Sequence, residues 1–216
     1  QPITFSPITD PAGVGNGVHI HMSFTNAAGA PITHDPSGPC GMSRTTQCFV
    51  AGVLNYLPQI LCLLAPSVIS YTRLIPHRWS AAFNNLGLQD RETAVRICPV
   101  TATDPIGIAR QYNFEVRSLD AAASPHLALA ALVHAGCQGI EDSLDAPAAS
   151  EGDLSELSSK ALADSGHVRL PESLETALDA FEADKVVRGW FPKTFPLVYL
   201  AHKRAEITHV EGMTDL

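Results

Sequence analysis

Apolar and polar residues alternate over Gly17–Phe24, with Val18, Ile20, Met22 and Phe24 set against Gly17, His19, His21 and Ser23. Successive strand side chains point to opposite faces, so this stretch predicts a strand with an apolar back and a front carrying His19, His21 and Ser23. The glycine-rich turn Gly13-Val14-Gly15-Asn16-Gly17 leads into it. On spacing, two readings stay open: a half-exposed strand facing water, or a metal or phosphate site. Asn26–Gly41 is rich in Gly, Pro and Asp and reads as a loop. Ser43 suits the N-cap of a helix over Arg44–Tyr56, and Pro58 the first turn of a second helix ending near Leu64. Ser67–His77 reads as irregular to extended. Glu92–Cys98 alternates again, Thr93, Val95 and Ile97 against Ala94, Arg96 and Cys98. After a predicted loop over Pro99–Gly107, Ile108–Ser118 predicts a further strand. Its front holds Gln111, Asn113, Glu115 and Arg117, and its back Tyr112, Phe114 and Val116.

Ser124-Pro125 opens a helix, Leu127–Val133 is almost wholly apolar, and Gly139 can close it. A helix apolar nearly all round is expected inside the protein. Asp142–Gly166 is an acidic, Ser- and Ala-rich excursion with helical turns. Pro171–Asp184 is amphipathic, with Leu174, Leu178 and Phe181 as its stripe, and Pro192–Val210 gives a last helix. Trp190-Phe191 reads as a core or interface anchor, and His126 and His134 as packing residues. The fold class expected is α+β, a mostly antiparallel strand layer with polar groups on one face and helices behind it. The chain divides at about residue 140 into a mixed region, 1–140, and an acidic helical region, 141–216.

Charge sharpens that division. Of the net charge of -8, the whole excess sits after Ile140, and every basic residue before that point is arginine: Arg44, Arg73, Arg78, Arg91, Arg96, Arg110 and Arg117. The acidic balance argues against a nucleic-acid partner. Arginine offers a rigid fork matched to carboxylate and phosphate oxygens, so a lysine-free, arginine-bearing segment points to an anionic small molecule. The bland explanation is a compositional bias toward arginine. The five cysteines form no C-x-x-C pair and lie among apolar or small residues. They read as buried free thiols of a reducing compartment, hence a cytoplasmic protein. The longest apolar run, around Leu54–Ala65, is interrupted by Pro58, so no membrane partner is expected. The chain begins with Gln1-Pro2-Ile3-Thr4-Phe5 and no Met, as a portion of a longer protein would.

The two strand faces together supply His19, His21, Ser23, Glu115 and Arg117, and Asp90–Arg96 adds Arg91 and Arg96. Imidazole and carboxylate together bind a divalent ion, and several arginines hold anionic oxygens. The reaction class this implies is metal-assisted phosphoryl transfer or ATP-dependent ligation with Mg²⁺ or Mn²⁺. Glu115 and Arg117 read equally as cross-strand ion-pair partners of the other arginines.

Four ordered blocks carry a family resemblance: G-x-G-V-H-I-H-M-S from Gly15, S-Y-x-R-L-I-P from Ser70, D-R-E-T-A-V-R-I from Asp90 and F-E-V-R-S-L-D-A-A-A-S-P-H-L-A from Phe114. Together they resemble glutamine synthetase. The resemblance implies that 1–140 is the C-terminal part of an ATP- and glutamate-binding catalytic domain, with strands from part of a half-barrel, and that 141–216 is the same domain's acidic helical tail. It implies ATP with Mg²⁺ or Mn²⁺, and a γ-glutamyl phosphate that ammonia or an amine displaces. His19 and Glu115 match metal ligands, and His21, Ser23, Arg91 and Arg96 match ATP contacts. Gly15, Arg73, Arg91 and Arg117 match glutamate contacts. Arg91 also matches the catalytic arginine that neutralises the transferred phosphate. The resemblance further implies a ring-shaped homo-oligomer.

The departures are as informative. Trp79 stands where the family has a glutamate that closes over the site and helps accept ammonium; Trp79 is therefore the other candidate catalytic residue, suited to stacking on an alkyl chain or an ammonium. Val14 replaces an asparagine, and no lysine stands in Pro99–Glu115. Asp153–Leu170 holds no tyrosine for nucleotidylation. The family's remaining metal-ligand glutamates lie N-terminal to this stretch. The acceptor expected from Trp79 is an organic amine. The alternative is a non-catalytic relative kept for assembly or ligand binding.

Overall fold

The fold is built on one long helix. Ser43 caps α1 (Arg44–Leu64), its side chain accepting from the Thr46 amide. Pro58 starts no second helix: it lies inside α1, contrary to the break expected from sequence. Proline removes a hydrogen-bond donor from the helix ladder and ordinarily breaks it. Here Leu54, Leu57, Ile60 and Leu61, on both sides of Pro58, are all fully buried, so packing holds the axis. The Leu54 carbonyl, which loses its partner to Pro58, is approached by Asn84 Nδ2 at 3.4 Å. At the other end Pro66 has no amide for the Cys62 carbonyl, and the Tyr199 hydroxyl donates to it at 2.6 Å. Undivided, α1 is long and apolar enough to cross a membrane, yet 72% of its most apolar window is buried inside the fold, as a core helix requires.

The computed structural model describes residues 3–213, so Gln1-Pro2 of the N-terminal segment lie outside it. Four strands form one sheet in the order β1-β4-β3-β2: β1 (Val18–Met22), β2 (Leu86–Leu88), β3 (Val95–Ile97) and β4 (Phe114–Leu119). β1 is shorter than the alternation predicted, and its faces agree with it except at Val18: Ile20, Met22 and Phe24 pack on the core, Val18 at the strand's start is exposed, and His19, His21 and Ser23 are exposed on the front. β1/β4 and β3/β4 are antiparallel, whereas β2 pairs parallel to β3, so the sheet is mixed. A three-residue strand carries too little alternation to be read from sequence.

The strand predicted over Ile108–Ser118 begins late. Pro105–Gln111 is a helix, α2, capped by Asp104, whose carboxylate accepts from the Gly107 amide. Asp-Pro is a helix start, and it prevails over the apolar alternation that runs on through residue 108. Gln111 therefore leaves the strand face; its Oε1 accepts from the amides of Thr101 and Ala102. Ser67–His77, expected to be irregular to extended, contains a 3-10 turn over Val68–Thr72.

α3 (Pro125–Glu141) runs through Gly139, which ends nothing. Gly139 and Gly52 instead let α3 and α1 touch backbone to backbone; a Cβ at Gly52 would sit 2.7 Å from Gly139 Cα. Nor is α3 buried all round: Ala128, Ala131, Leu132 and Ala135 face the core, while Leu129, Val133 and Ile140 are exposed. Cys137 on the same helix is exposed too, unlike the expectation of uniformly buried thiols. The remaining helices are α4 (Ser159–Asp164), α5 (Leu174–Ala183), α6 (Lys185–Gly189) and α7 (Thr194–Val210). Leu174, Leu178 and Phe181 of α5 join the same core as α1 and the sheet, and Trp190 and Phe191 pack against it. His134 stacks on Trp190, with ring centroids 5.8 Å apart.

Candidate active site

Strand register assembles the site. His21 stands opposite Glu115, and Glu115 opposite Arg96, so the three side chains form a row across β1, β4 and β3 on one face. Between Val18 and Ile20 the register shifts: β4 spends two residues, Arg117 and Ser118, against one on β1. That bulge keeps Arg117 and His19 beside Glu115. The Glu115 carboxylate is 1% exposed. Its Oε1 faces Arg96 Nε at 2.8 Å and accepts from Arg117 Nη1. Its Oε2 lies 2.8 Å from His21 Nε2 and 3.8 Å from His19 Nδ1. Arg117 is buried and also reaches His19 Nδ1 at 3.2 Å, the Trp79 carbonyl at 3.3 Å and the Arg91 carbonyl at 2.9 Å.

A cleft of about 370 Å³ opens beside this row, and Arg73, Arg78, Arg91, Arg96 and Arg117 line it with His19. Gly15 and Gly17 form its glycine edge. Gly15 has φ +76°, and a Cβ there would stand 2.6 Å from the Pro7 carbonyl, so the turn requires glycine. Arg73 is buried, and its Nη2 donates to the Leu119 carbonyl at 2.8 Å. Nε of Arg73 and of Arg117 are buried donors with no partner among the described residues. Arginine forks with spare donors beside an open cleft suit anionic oxygens.

Trp79 sits at the cleft mouth, 62% exposed, with φ 54°, while His77 has φ 62°. Left-handed backbone at such residues is costly, and Glu92 offsets the cost: its two carboxylate oxygens accept from the His77 and Trp79 amides at 3.0 and 2.8 Å. Ser23 stands apart, lining a separate recess of about 280 Å³ with His21, Arg110 and Asn113. Thus His19, His21, Glu115, Arg73, Arg91, Arg96, Arg117, Gly15 and Trp79 converge on one face, and Ser23 adjoins it through His21. Sequence reading left out Glu92, Arg78 and Cys98. Cys98 had a signal, since it shares the Arg96 side of the 92–98 alternation.

The electrostatics follow from this packing. Burial pushes the Glu115 carboxyl up, but Arg117 and Arg96 outweigh it and hold the group below the usual carboxylate range. Burial first, then Arg117, lowers His19 from its ordinary 6.5, and burial lowers His167 likewise. Both imidazoles resist protonation in the folded protein, so the unfolded chain takes up more protons as pH falls. Stability from these groups is complete above 6.5 and lost as pH drops through their lowered folded values. The melting temperature is expected to fall between about pH 7.5 and about pH 5.5, and a His19→Asn/His167→Asn double variant to show a flatter profile over that range. A variant profile parallel to the parent's would contradict this assignment.

The comparisons agree with the geometry. The profile of the family described as "Glutamine synthetase, catalytic domain" matches residues 1–215. Gamma-glutamylpolyamine synthetase GlnA3 of Streptomyces coelicolor is 37% identical over 214 residues, covering 99% of this chain and 45% of that protein. Type-1 glutamine synthetase 1 of Dictyostelium discoideum is 36% identical over 146 residues, covering 67% of this chain and 28% of that protein. The solved structure described as a novel glutamine synthase homolog superposes with TM-score 0.83 at 39% identity, over 98% of this chain and 46% of its own. Apo GmaS superposes with TM-score 0.76 at 28% identity, over 97% of this chain and 45% of its own. The chain therefore spans less than half the length of the curated relatives it matches. With residues of all four motif blocks lining one cleft and this fold behind them, the chain belongs to the glutamine synthetase family, within its catalytic domain.

Proposed function

We propose that the protein is an ATP-dependent ligase joining an organic amine to the γ-carboxylate of glutamate. The observation that carries this reading is the convergence of Arg73, Arg91, Arg96 and Arg117 on one cleft beside the buried Glu115 carboxylate. A glutamate γ-carboxylate oxygen attacks the terminal phosphorus of ATP, and ADP leaves. The amine nitrogen then attacks the acyl carbon, phosphate leaves, and the nitrogen loses a proton to solvent. Arg73, Arg117 and the Gly15 backbone form the wall for the carboxylates of glutamate. Arg91 faces the transferred phosphoryl group, while Arg96, His21 and Ser23 serve the nucleotide. The donor set fits a divalent ion in part: Glu115 and His19 would hold Mg²⁺ or Mn²⁺, which wants about six ligands, so further oxygens must come from elsewhere in the protein or from substrate. When bound, the ion neutralises phosphate charge. We place 1–140 as the C-terminal part of the catalytic domain and 141–216 as its tail, in a cytoplasmic homo-oligomer, for which exposed Leu129, Val133, Leu197 and Val198 offer apolar contact.

Trp79 supports an amine over ammonia, because an indole at the mouth stacks on alkyl or ammonium groups and accepts no proton. Beyond the 76–79 turn, a recess of about 310 Å³ lined by Asp90, Glu92, Asp153 and Phe83 is complementary to a cationic chain. The relative at 37% identity is named for polyamines. In phosphate release by the full-length protein with ATP and glutamate, diamines and polyamines are expected to outcompete ammonia, and Trp79→Ala to lower kcat/KM for the amine about tenfold. Ammonia outcompeting every amine would overturn the acceptor. Absence of phosphate release with ammonia and with every amine would leave the non-catalytic alternative.

A further inference from the structure

We infer that His21, Cys98 and Glu115 form a binding site for a thiophilic divalent cation of the zinc class. The argument begins behind the site. Asn113 Nδ2 donates to the Gln111 carbonyl at 2.8 Å, which turns its Oδ1 toward His21 Nδ1 at 2.9 Å. An amide oxygen only accepts, so Nδ1 carries the imidazole proton. His21 Nε2 then presents a lone pair to Glu115 Oε2, 2.8 Å away. Two acceptors at that distance require something positive, a second ring proton or a metal ion. Both arginines sit on the other carboxylate oxygen, Oε1, and leave Oε2 open.

Cys98 supplies the third ligand. Its sulfur approaches the same imidazole, 3.6 Å from Nδ1, and one ligand atom from each of the three residues falls within 4.8 Å of the others. An Nε2, a thiolate and a carboxylate are a zinc donor set, with a fourth position open. Sulfur disfavours Mg²⁺ and Mn²⁺ as ligand partners. On binding, the Cys98 S–H bond breaks, its proton goes to solvent and a sulfur–metal bond forms. Thiolate and carboxylate then match the ion's double charge, although Arg96 and Arg117 surround it. The carbonyl-oriented histidine is the usual support of such a ligand. His19 lies outside this cluster, whose ligand atoms come from His21, Cys98 and Glu115.

One consequence rests on the ligase reading: Glu115 is shared with the ion assigned there to His19, so zinc excludes it and inhibits. The site itself does not depend on that reading. The test titrates the full-length protein with Co²⁺ as a spectroscopic probe and with Zn²⁺ against a chromophoric chelator. The expected result is one ion per chain, a thiolate-to-cobalt charge-transfer band, loss of that band in Cys98→Ser and Cys98→Ala, and zinc affinity at least about tenfold weaker in both. Asn113→Ala keeps the band and weakens zinc about tenfold. A parent protein without the band, or Cys98 variants that bind zinc unchanged, overturns the site. In the activity arm, the fold-inhibition by zinc, each protein taken relative to its own zinc-free turnover, is smaller in Cys98→Ser than in the parent. Zinc binding through Cys98 with no ligase turnover under any condition overturns the ligase reading and leaves the site standing.

Discussion

Glu115→Gln in the full-length protein is expected to lower amide formation by about 10²–10³-fold, the cost of removing one preorganised electrostatic group from an active site. Glutamine keeps the volume, so shape is not what changes. Among the described residues the lost charge is the single anion paired with Arg96 and Arg117, and Arg117 is itself buried. Breaking a buried pair from one side leaves an uncompensated charge, and about 3 kcal/mol of stability is expected to go with it. The urea midpoint and a γ-glutamyl transfer assay measure the two effects separately. The variant should remain folded, since the core behind β4 is untouched: Phe114 and Val116 point the other way and are fully buried. Turnover within threefold of the parent would remove Glu115 from the site and with it the reading of the arginine row.

The second large effect concerns the scaffold. Gly52→Val is expected to cost about 3 kcal/mol or more, the upper range for overpacking a closed core. A Cβ at Gly52 would stand 2.2 Å from the Ala135 carbonyl and 2.7 Å from Gly139, both backbone atoms of α3, so no side chain can yield. The helices must part, and their separation would loosen Phe49, which packs against Gly136 and against Phe114 behind the site. With a typical domain stable by only about 5–15 kcal/mol, the loss should be plain in thermal melts. Gly189→Ala serves as the control, because nothing lies within 4 Å of its Cβ position, and it should change stability little. Equal melting temperatures for Gly52→Val and the parent would show that the close approach carries no energy.

Much of the fold was legible because period and caps are local. Ser43 and the stripe Leu174, Leu178 and Phe181 are signals within a turn or two of chain, and the helices they predict are present. Pro58 and Gly139 differ from expectation for one shared reason: each has a local preference that packing outweighs, Pro58 among fully buried apolar residues and Gly139 pressed against Gly52. Over 108–111 the alternation gives way to the Asp104 cap, which captures the Gly107 amide. β2 escaped notice because a parallel pairing with β3 is a relation between segments, and three residues hold no period of their own.

The candidate site divides the same way. By itself the sequence determined which residue types face one side of each strand: His19 and His21 together, Arg96 with Cys98, and Asn113, Glu115 and Arg117 in a line. Side-chain alternation is a property of a single strand, so no partner is needed to know it. Only the tertiary structure decided which members of those rows meet. Register sets His21, Glu115 and Arg96 in one line across three strands, the bulge at Arg117–Ser118 brings His19 alongside, and Glu92 pins the turn that carries Trp79. A slip of one residue in any pairing would turn a whole row to the other face, and that choice is made by burial of Ile20, Val95 and Val116 against the core, energy that no short stretch contains.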